Sequence, residues 1–215
     1  MTQASDPAGG TSEPVMQPSA TVDIQKRNWI VTTCVIGGAG VAVAAVPFVS
    51  SFQPSERAKA AGAAVEVDIS ALKPGEKVTV EWRCKQVWII KRTPDQLAGL
   101  KKVEGQLADP NSERKPDELT PAYARNENRS IKPEIMVAVG ICSHLGCSPT
   151  DKFQTGAQPS LPDDWQGGFL CACHGSTFDI AGRVYKNKPA PDNLEVPPHM
   201  YLSENRILIG EDKKA

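Results

Sequence analysis

Two short motifs contain most of the cysteine and histidine residues of this chain, the usual ligands of transition metals. The first, CSHLGC, spans residues 142–147, and the second, CACHGS, spans residues 171–176. Together they hold four of the six cysteines and two of the three histidines. Each motif offers a thiolate and an imidazole at close spacing, as Cys-x-His in the first and Cys-x-x-His in the second. Two thiolates and two imidazoles suit either a zinc ion or a two-iron cluster whose irons are ligated differently.

Each motif also has one further cysteine, Cys147 in the first and Cys173 in the second. A four-ligand zinc site would leave both of them unused. A plain disulfide framework would pair the four cysteines but would not explain a histidine beside each pair. The motifs therefore favour an iron–sulfur cluster over zinc, and zinc over disulfides alone. The two remaining cysteines suggest a disulfide that ties the two ligand loops together.

The two motifs resemble those of the Rieske iron–sulfur proteins, specifically the membrane-bound subunit of the cytochrome bc complex (quinol–cytochrome c reductase). In that family the motifs read CTHLGC and CPCHGS, and this chain has Ser143 and Ala172 at the second positions. The resemblance continues at residues 189–191 and 193–197, and extends to an apolar N-terminal segment and a strand-rich region. The first twenty or so residues and the segment around 103–130 fall outside it.

The resemblance implies one [2Fe–2S] cluster per chain. We expect Cys142 and Cys171 on the inner iron and His144 and His174 on the outer iron. Replacing two thiolates on one iron by neutral imidazoles removes negative charge and raises the reduction potential. Rieske centres lie at roughly −150 to +300 mV, against about −400 mV for plant-type ferredoxins.

The family also implies how the cluster meets its substrate. By resemblance, His174 is the residue expected to hydrogen-bond the quinol. The exposed surface of the cluster should be shielded by Leu145 and by a proline loop made of Pro189, Ala190 and Pro191. Imidazoles near the surface could release a ring proton as the cluster is oxidised, which couples the electron to a proton.

Four further residues are expected close to the cluster. Gly146 and Gly175 suit positions where the backbone passes near sulfur or adopts a positive φ. Backbone amides and Ser176 could donate hydrogen bonds to the cluster sulfurs, which tunes the potential. Phe178 stands where the respiratory family usually has a tyrosine whose hydroxyl donates to a ligand thiolate, so this chain should have a lower potential.

An all-β domain is predicted at residues 65–215. Apolar residues alternate with polar ones from Val65 to Ile69 and again at 78–82, residues 73–76 form a turn signal, and 135–141 is a buried strand that leads into the first motif. Thr93-Pro94-Asp95-Gln96 predicts a capped helix to about residue 102. By resemblance the domain is a Rieske-type antiparallel β-sandwich with an inserted cluster-binding subdomain at about 141–191. Further strands are expected at 87–90, 168–170, 183–185, 195–196 and 201–209, and residues 103–133 as a surface excursion.

One transmembrane helix is predicted near the N-terminus. Residues 1–22 are polar and are expected to be disordered, as part of a cytoplasmic tail at 1–27. An uncharged run follows, and its apolar part at 28–52 exceeds the ~20 residues that cross a bilayer. A signal peptide cleaved near Ala58-Lys59-Ala60 is the alternative, but the run is longer than the ~7–15 residues of a signal's apolar region. The pair Lys26-Arg27 resembles a degenerate twin-arginine signal, so the anchor would be an uncleaved export signal.

A disulfide persists outside the cytosol, which places the domain after the anchor on the periplasmic side of a bacterial inner membrane. Residues 53–64 form a small-residue linker, either an inert spacer or, by resemblance, a flexible hinge. Outside the motifs, Cys84 is expected as a buried free thiol and His199 as a surface or packing residue.

The resemblance implies an electron-transfer subunit of quinol–cytochrome c oxidoreductase. Such a subunit takes one electron, coupled to a proton, from quinol and passes it to a membrane-bound c-type cytochrome. Its expected partners are cytochrome b, the c-type cytochrome and the lipid bilayer, in a dimeric complex. A Rieske subunit of another periplasmic oxidoreductase, such as an arsenite-oxidase-like enzyme, is the alternative, and a non-redox zinc domain is a third. The net charge of −1 gives no indication of a nucleic-acid partner.

Overall fold

The computed structural model describes residues 23–56, 59 and 62–212. The chain divides into two compact units, one ending at Pro54 and one beginning at Ser55. The predicted disordered tail at 1–22 lies outside the described residues, as do residues 57, 58, 60 and 61 of the predicted hinge.

The first unit contains the helix α1, which spans Ile24–Ser50. It begins at Asp23, whose carboxylate accepts hydrogen bonds from the backbone N–H groups of Gln25 (3.1 Å) and Lys26 (3.2 Å). Such a cap satisfies donors that have no partner inside the helix. Its 27 residues, at 1.5 Å of rise each, exceed the ~30 Å of a hydrocarbon core. The helix is therefore long and apolar enough to cross a membrane.

The second unit is built from antiparallel sheets, as the alternating pattern predicts. In the part of the chain described, strands form three sheets of three strands each. We call them the outer, central and motif sheets. The outer sheet has the order β1 (Val65–Asp68), β9 (Arg206–Ile209), β8 (His199–Ser203); the central sheet β2 (Lys77–Trp82), β3 (Lys85–Lys91), β4 (Ile135–Val139); and the motif sheet β5 (Thr150–Lys152), β6 (Gly168–Cys171), β7 (Ser176–Asp179).

The strands β3 and β4 of the central sheet are buried on both faces, whereas the edge strand β2 is partly exposed. Val87 and Ile89 of β3 face one way and pack with the outer sheet in a first core. Trp88 and Ile90 face the other way and pack with the motif sheet in a second core, where Trp88 stacks on Phe169 at 4.9 Å between ring centroids. Because successive side chains of a strand point to opposite faces, a strand between two cores reads as a continuous apolar run. This is the reason for the unbroken apolar sequences of β3 and β4.

The helix α2 spans Pro94–Val103 and has the capping box that the sequence predicts. The Thr93 hydroxyl accepts from the Gln96 backbone N–H at 3.2 Å, and the Gln96 side chain accepts from the Thr93 N–H at 2.9 Å. Short 3-10 helices follow at Glu104–Gln106 and Ala122–Ala124.

Two strand predictions are wrong. Residues 183–185 form only isolated bridges, Val184 with Phe178 and Tyr185 with Leu107, and residues 195–196 form no strand. The backbone there is satisfied in another way. The Val184 N–H donates to the Asn193 side chain at 2.9 Å, and the Val196 N–H donates to the Leu119 carbonyl at 2.8 Å. Side chains and a neighbouring segment thus replace the ladder of a sheet.

The segment 103–133 is only in part the predicted surface excursion: residues 113–118 are exposed, but other residues of the segment are buried. Leu107, Ala124 and Arg129 are buried, and Arg129 is 0% exposed. The polar sequence conceals this burial because most of the buried residues are themselves polar and have hydrogen-bond partners in the fold: Asp109, Ser112, Thr120, Arg129 and Ser130.

Cys84 is exposed, which corrects the expectation of a buried thiol. It lies with Arg83 in the two-residue turn between β2 and β3, and both residues have positive φ (52° and 58°). Such turns match the twist of a hairpin and point their side chains to solvent. His199, by contrast, packs inside the domain: its Nδ1 lies 2.8 Å from the Pro197 carbonyl oxygen.

Gly140 should be intolerant of a side chain, since a Cβ there would lie 2.1 Å from Cε2 of Trp88. Either the indole or the strand end must move, and overpacking of this kind costs roughly 1–3 kcal/mol. We expect Gly140→Ala to lower the thermal unfolding midpoint of the detergent-solubilised chain, followed by circular dichroism.

Gly105→Ala is the matched control, because a Cβ at Gly105 meets nothing within 4 Å. This change should alter stability by no more than about 0.5 kcal/mol. Equal midpoints for the two variants would show that the contact between Gly140 and Trp88 does not limit this site.

Candidate metal centre

The two motifs are positioned by different elements that meet at one edge of the second core. The first motif follows β4 after Gly140 and Ile141. The second motif is the connection between β6 and β7, whose register pairs Cys171 with Ser176. The buried β4 and the β6–β7 hairpin therefore deliver one motif each.

Each motif folds into a tight turn around its first cysteine. The Gly146 N–H donates to the Cys142 carbonyl at 3.1 Å, and the Gly175 N–H donates to the Cys171 carbonyl at 2.9 Å. Both glycines have positive φ, 83° and 75°. A side chain at either position would be strained, because the left-handed region suits glycine.

The turns bury the thiols and leave the imidazoles near the surface. Cys142 and Cys171 are each 2% exposed and belong to the second core. His144 is half-buried and His174 is exposed. The two imidazole rings are in edge-to-face contact, with centroids 4.7 Å apart. The four side chains expected as ligands thus lie at one site, thiols on the inner side and imidazoles on the outer side.

A disulfide joins Cys147 to Cys173, as the two unassigned cysteines suggest. Its Cα atoms are 6.7 Å apart, and it links one motif directly to the other across 26 residues of sequence. The sulfurs of Cys147, Cys171 and Cys173 lie within 4.8 Å of one another. Since two of these three belong to the disulfide, only Cys171 in this group can ligate a metal as a thiolate.

The surroundings of Cys142 disfavour its charged form. Burial raises the pKa of the Cys142 thiol, and the adjacent Cys171 raises it further, whereas hydrogen bonds from the His144 amide and the Ser176 hydroxyl act against both. A pair of buried thiolates therefore needs a cation between them. Two such thiols beside two imidazoles fit a metal centre with mixed sulfur and nitrogen ligands, and a [2Fe–2S] cluster with two histidines on one iron has this donor set.

The proline loop is attached to both motifs. The Ala190 N–H donates to the Ser176 hydroxyl oxygen at 2.9 Å, and the Ser143 hydroxyl donates to the Asp192 carbonyl at 2.6 Å. Pro189 and Pro191 are exposed, while Ala190 is 4% exposed. The sequence pointed to the two prolines but contained no signal for Asp192.

Phe178 and Leu145 occupy opposite environments. Phe178 is 0% exposed, lies opposite Phe169 in the β6–β7 pairing, and shares the second core with Cys142 and Cys171. Leu145 is 72% exposed beside His144. The Leu145 side chain is therefore accessible to solvent beside the imidazoles.

We expect the cysteines to differ sharply in reactivity. Alkylation of the native full-length protein without reductant should modify Cys84, and peptide mass spectrometry should recover Cys147 and Cys173 as one linked pair. Replacing both with serine should release the metal centre before the sheets unfold, because a disulfide typically contributes ~2–4 kcal/mol. Free thiols at both positions in untreated protein would contradict the pairing.

Comparisons with known proteins identify the family of the site. The model of the Rieske [2Fe-2S] domain matches residues 112–198. The ubiquinol-cytochrome c reductase iron-sulfur subunit of Allochromatium vinosum is 52% identical over 192 residues, which cover 88% of this chain and 90% of that protein. The subunit of the same name from Blastochloris viridis is 38% identical over 200 residues, 91% of this chain and 98% of that protein.

A solved structure described as a hyperthermophilic respiratory Complex III covers 82% of this chain with a TM-score of 0.43 and 23% identity. With 52% identity across nine-tenths of a relative, and with the thiols, imidazoles and disulfide together at one site, this chain belongs to the family of Rieske iron–sulfur subunits of ubiquinol–cytochrome c reductase.

Proposed function

We propose that Cys142 and Cys171 bind the inner iron of a [2Fe–2S] cluster and that His144 and His174 bind the outer iron, in the electron-transfer subunit of a quinol–cytochrome c reductase. The observation that carries this assignment is the placement of two thiols that are each 2% exposed beside two imidazoles in ring contact. The cluster supplies one-electron transfer at a potential raised by imidazole ligation.

His174 is the residue that meets the quinol. It is exposed, and it lies at the turn between β6 and β7, where the motif sheet reaches the surface. The ring nitrogen that does not bind iron can accept a hydrogen bond from the quinol hydroxyl and hold the proton that the quinol loses. A proton acceptor within hydrogen-bond reach lets electron and proton leave the quinol together.

Residues around the motifs control access and potential. We assign to Leu145 and to the loop 189–191 the role of shielding the cluster from water. Ser176 is placed to donate to a ligand thiolate, because its hydroxyl oxygen accepts from Ala190 and its own hydrogen remains available for Cys142. Hydrogen bonds of this kind favour the reduced state, since reduction adds negative charge.

The relatives belong to cytochrome bc complexes, so cytochrome b and a c-type cytochrome are the protein partners of this membrane-anchored subunit. We assign quinol as its substrate, the bilayer as the surroundings of α1, and a dimeric state to the complex. A hinge role for residues 53–64 rests on the family resemblance.

The head domain at 65–215 is assigned to the periplasm and the tail at 1–27 to the cytoplasm. The disulfide supports this orientation, because it would be reduced in the cytosol. Cys84 offers a direct probe, since it is an exposed free thiol of the head. A membrane-impermeant maleimide that fails to modify Cys84 in intact spheroplasts would refute the orientation.

The alternatives are less well supported. Relatives that align along nearly their whole length are ubiquinol–cytochrome c reductase subunits, which disfavours a subunit of an arsenite-oxidase-like enzyme. A zinc domain with the same four ligands would give no paramagnetic signal on reduction.

The ligand assignment predicts that each of four replacements abolishes the cluster. We expect Cys142→Ala, His144→Ala, Cys171→Ala and His174→Ala to remove the electron paramagnetic resonance signal of the dithionite-reduced protein. The other sulfurs near Cys171, those of Cys147 and Cys173, are joined in a disulfide and cannot replace a lost thiolate. His199→Ala is the control: this histidine lies on β8 in the outer sheet and should leave the signal intact. A normal signal in any one of the four variants would falsify the assignment of that residue.

Because Phe178 has no hydroxyl group, we expect the cluster of this subunit to have a low reduction potential. A hydroxyl at its ring would enter the core that contains Cys142 and Cys171 and could donate to a ligand thiolate. A hydrogen bond contributes ~0.5–1.5 kcal/mol, which for a one-electron couple is on the order of a few tens of millivolts. We therefore expect Phe178→Tyr to raise the midpoint measured by protein-film voltammetry.

Phe153→Tyr is the matched control, because it adds the same hydroxyl at a half-buried position outside both motifs. The midpoint of this variant should stay at the wild-type value. An unchanged or lowered midpoint for Phe178→Tyr would mean that the hydroxyl does not reach a cluster sulfur.

A further inference from the structure

Residues 190–196 have no regular secondary structure, yet they are firmly held. They form neither helix nor strand, and residues 192–194 and 196 are buried. Buried backbone without a regular ladder must find its hydrogen bonds elsewhere. Residues 193–195 bond in part to Val139, Gly182 and Val184. The other partners come from the two motifs and from the segment 109–129, which we call the brace segment.

Asp192 links the brace segment to the first motif. Its carboxylate forms an ion pair with Lys115 at 2.6 Å, in which the carboxylate side chain is 10% exposed. Both of its backbone groups contact Ser143: the carbonyl accepts from the Ser143 hydroxyl at 2.6 Å, and the N–H donates to the same oxygen at 3.3 Å. Ser143 lies between Cys142 and His144, so a shift of Asp192 is transmitted to two proposed iron ligands.

The adjoining residues make the equivalent link to the second motif. Arg114 of the brace segment donates to the Pro191 carbonyl at 2.8 Å. The residue before Pro191 is Ala190, whose backbone N–H donates to the Ser176 hydroxyl oxygen. Ser176 directly follows the turn of the second motif. Consecutive residues of one loop thus connect the brace segment to both motifs.

The brace segment is itself anchored in the interior. Arg129, 0% exposed, donates to the Ala181 carbonyl at 3.0 Å, the Leu194 carbonyl at 2.7 Å and the Thr120 hydroxyl at 2.7 Å. A guanidinium presents several donors in a fixed plane, so it can bind several carbonyls of irregular backbone at once. This fixes one end of the segment to the loop that follows β7.

The other end is fixed by Asp109. Its carboxylate accepts from the backbone N–H groups of Glu113 at 2.9 Å and Arg114 at 3.0 Å. Its carbonyl accepts from the side chain of Asn193 at 2.9 Å. Asp109 therefore ties the turn that presents Arg114 and Lys115 to Asn193, so neither cation projects from a free loop.

We propose that the brace segment sets the relative position of the two motifs through residues 190–192, and that Lys115 and Arg114 are positioning residues for the cluster. The proposal rests on the ligand assignment made above. Neither side chain touches a ligand. Each acts by holding the loop whose backbone holds Ser143 and Ser176.

The test uses the full-length protein with its cluster. Lys115→Met leaves the mostly buried Asp192 carboxylate without its cation, so the loop should loosen. We expect release of the cluster to a chelator, followed by visible absorbance, to be faster by on the order of threefold. The electron paramagnetic resonance signal of the reduced protein should also broaden while the protein remains folded by circular dichroism. Lys115→Arg should restore both properties.

Lys132→Met is the control for loss of charge. Lys132 lies just beyond the brace segment and pairs with Glu204 at 3.1 Å, in the turn between β8 and β9. This variant should match the wild type. If it releases the cluster as fast as Lys115→Met does, or if Lys115→Met keeps the wild-type rate and line shape, the proposal is wrong.

Asp192→Asn tests the same ion pair from the other partner. It removes the carboxylate charge that pairs with Lys115 but retains both backbone contacts with Ser143. Its effect should overlap with that of Lys115→Met, so the double variant should release the cluster no faster than Lys115→Met alone. Additive rates would mean that the two side chains act independently and would overturn the proposal. Absence of any Rieske signal in the wild type would instead refute the ligand assignment itself.

Discussion

The structure depends on holding two thiols side by side inside an apolar core. Cys142 and Cys171 are both buried in the second core, where burial raises the pKa of Cys142 and opposes the thiolate that a metal requires. Thiolates are stable there only with a cation and with donors aimed at sulfur. The buried strand β4, the β6–β7 hairpin and the disulfide all bring these two sulfurs and their donors to one place.

Irregular backbone around this site is stabilised by buried arginines. Arg183 pairs with Asp179 at 2.7 Å, both side chains being 2% exposed. Burial lowers the pKa of Arg92 and of Arg129 to about 10, so both remain cations at neutral pH. Arg92 donates to the Asn128 carbonyl at 2.8 Å, and Arg129 donates to the carbonyls of residues 181, 182 and 194, none of which lies in a strand. In a compact site made of loops, charged side chains thus supply the hydrogen bonds that neighbouring strands supply in a sheet.

Local patterns in the sequence were sufficient for much of the fold and for the proposal of a ligand set. Ligand spacing within each motif depends on a few neighbouring residues, and so does the capping box at Thr93 and Gln96. The same holds for the alternation that marks β1 and for the length of α1. These features are set by interactions between residues close in the chain, so reading the chain in order finds them. The cysteine count likewise indicated the disulfide.

Other features depend on contacts between residues far apart in the chain, and only the tertiary structure reveals them. The 103–133 segment is polar in sequence, yet Arg129 is buried because carbonyls at 181, 182 and 194 converge on it. Residues 195–196 look like a strand but hydrogen-bond to Leu119 and Val139 instead. Cys84 looks buried until the two-residue turn exposes it. In each case the partner is distant in sequence or the outcome depends on a register, and neither is encoded in local composition.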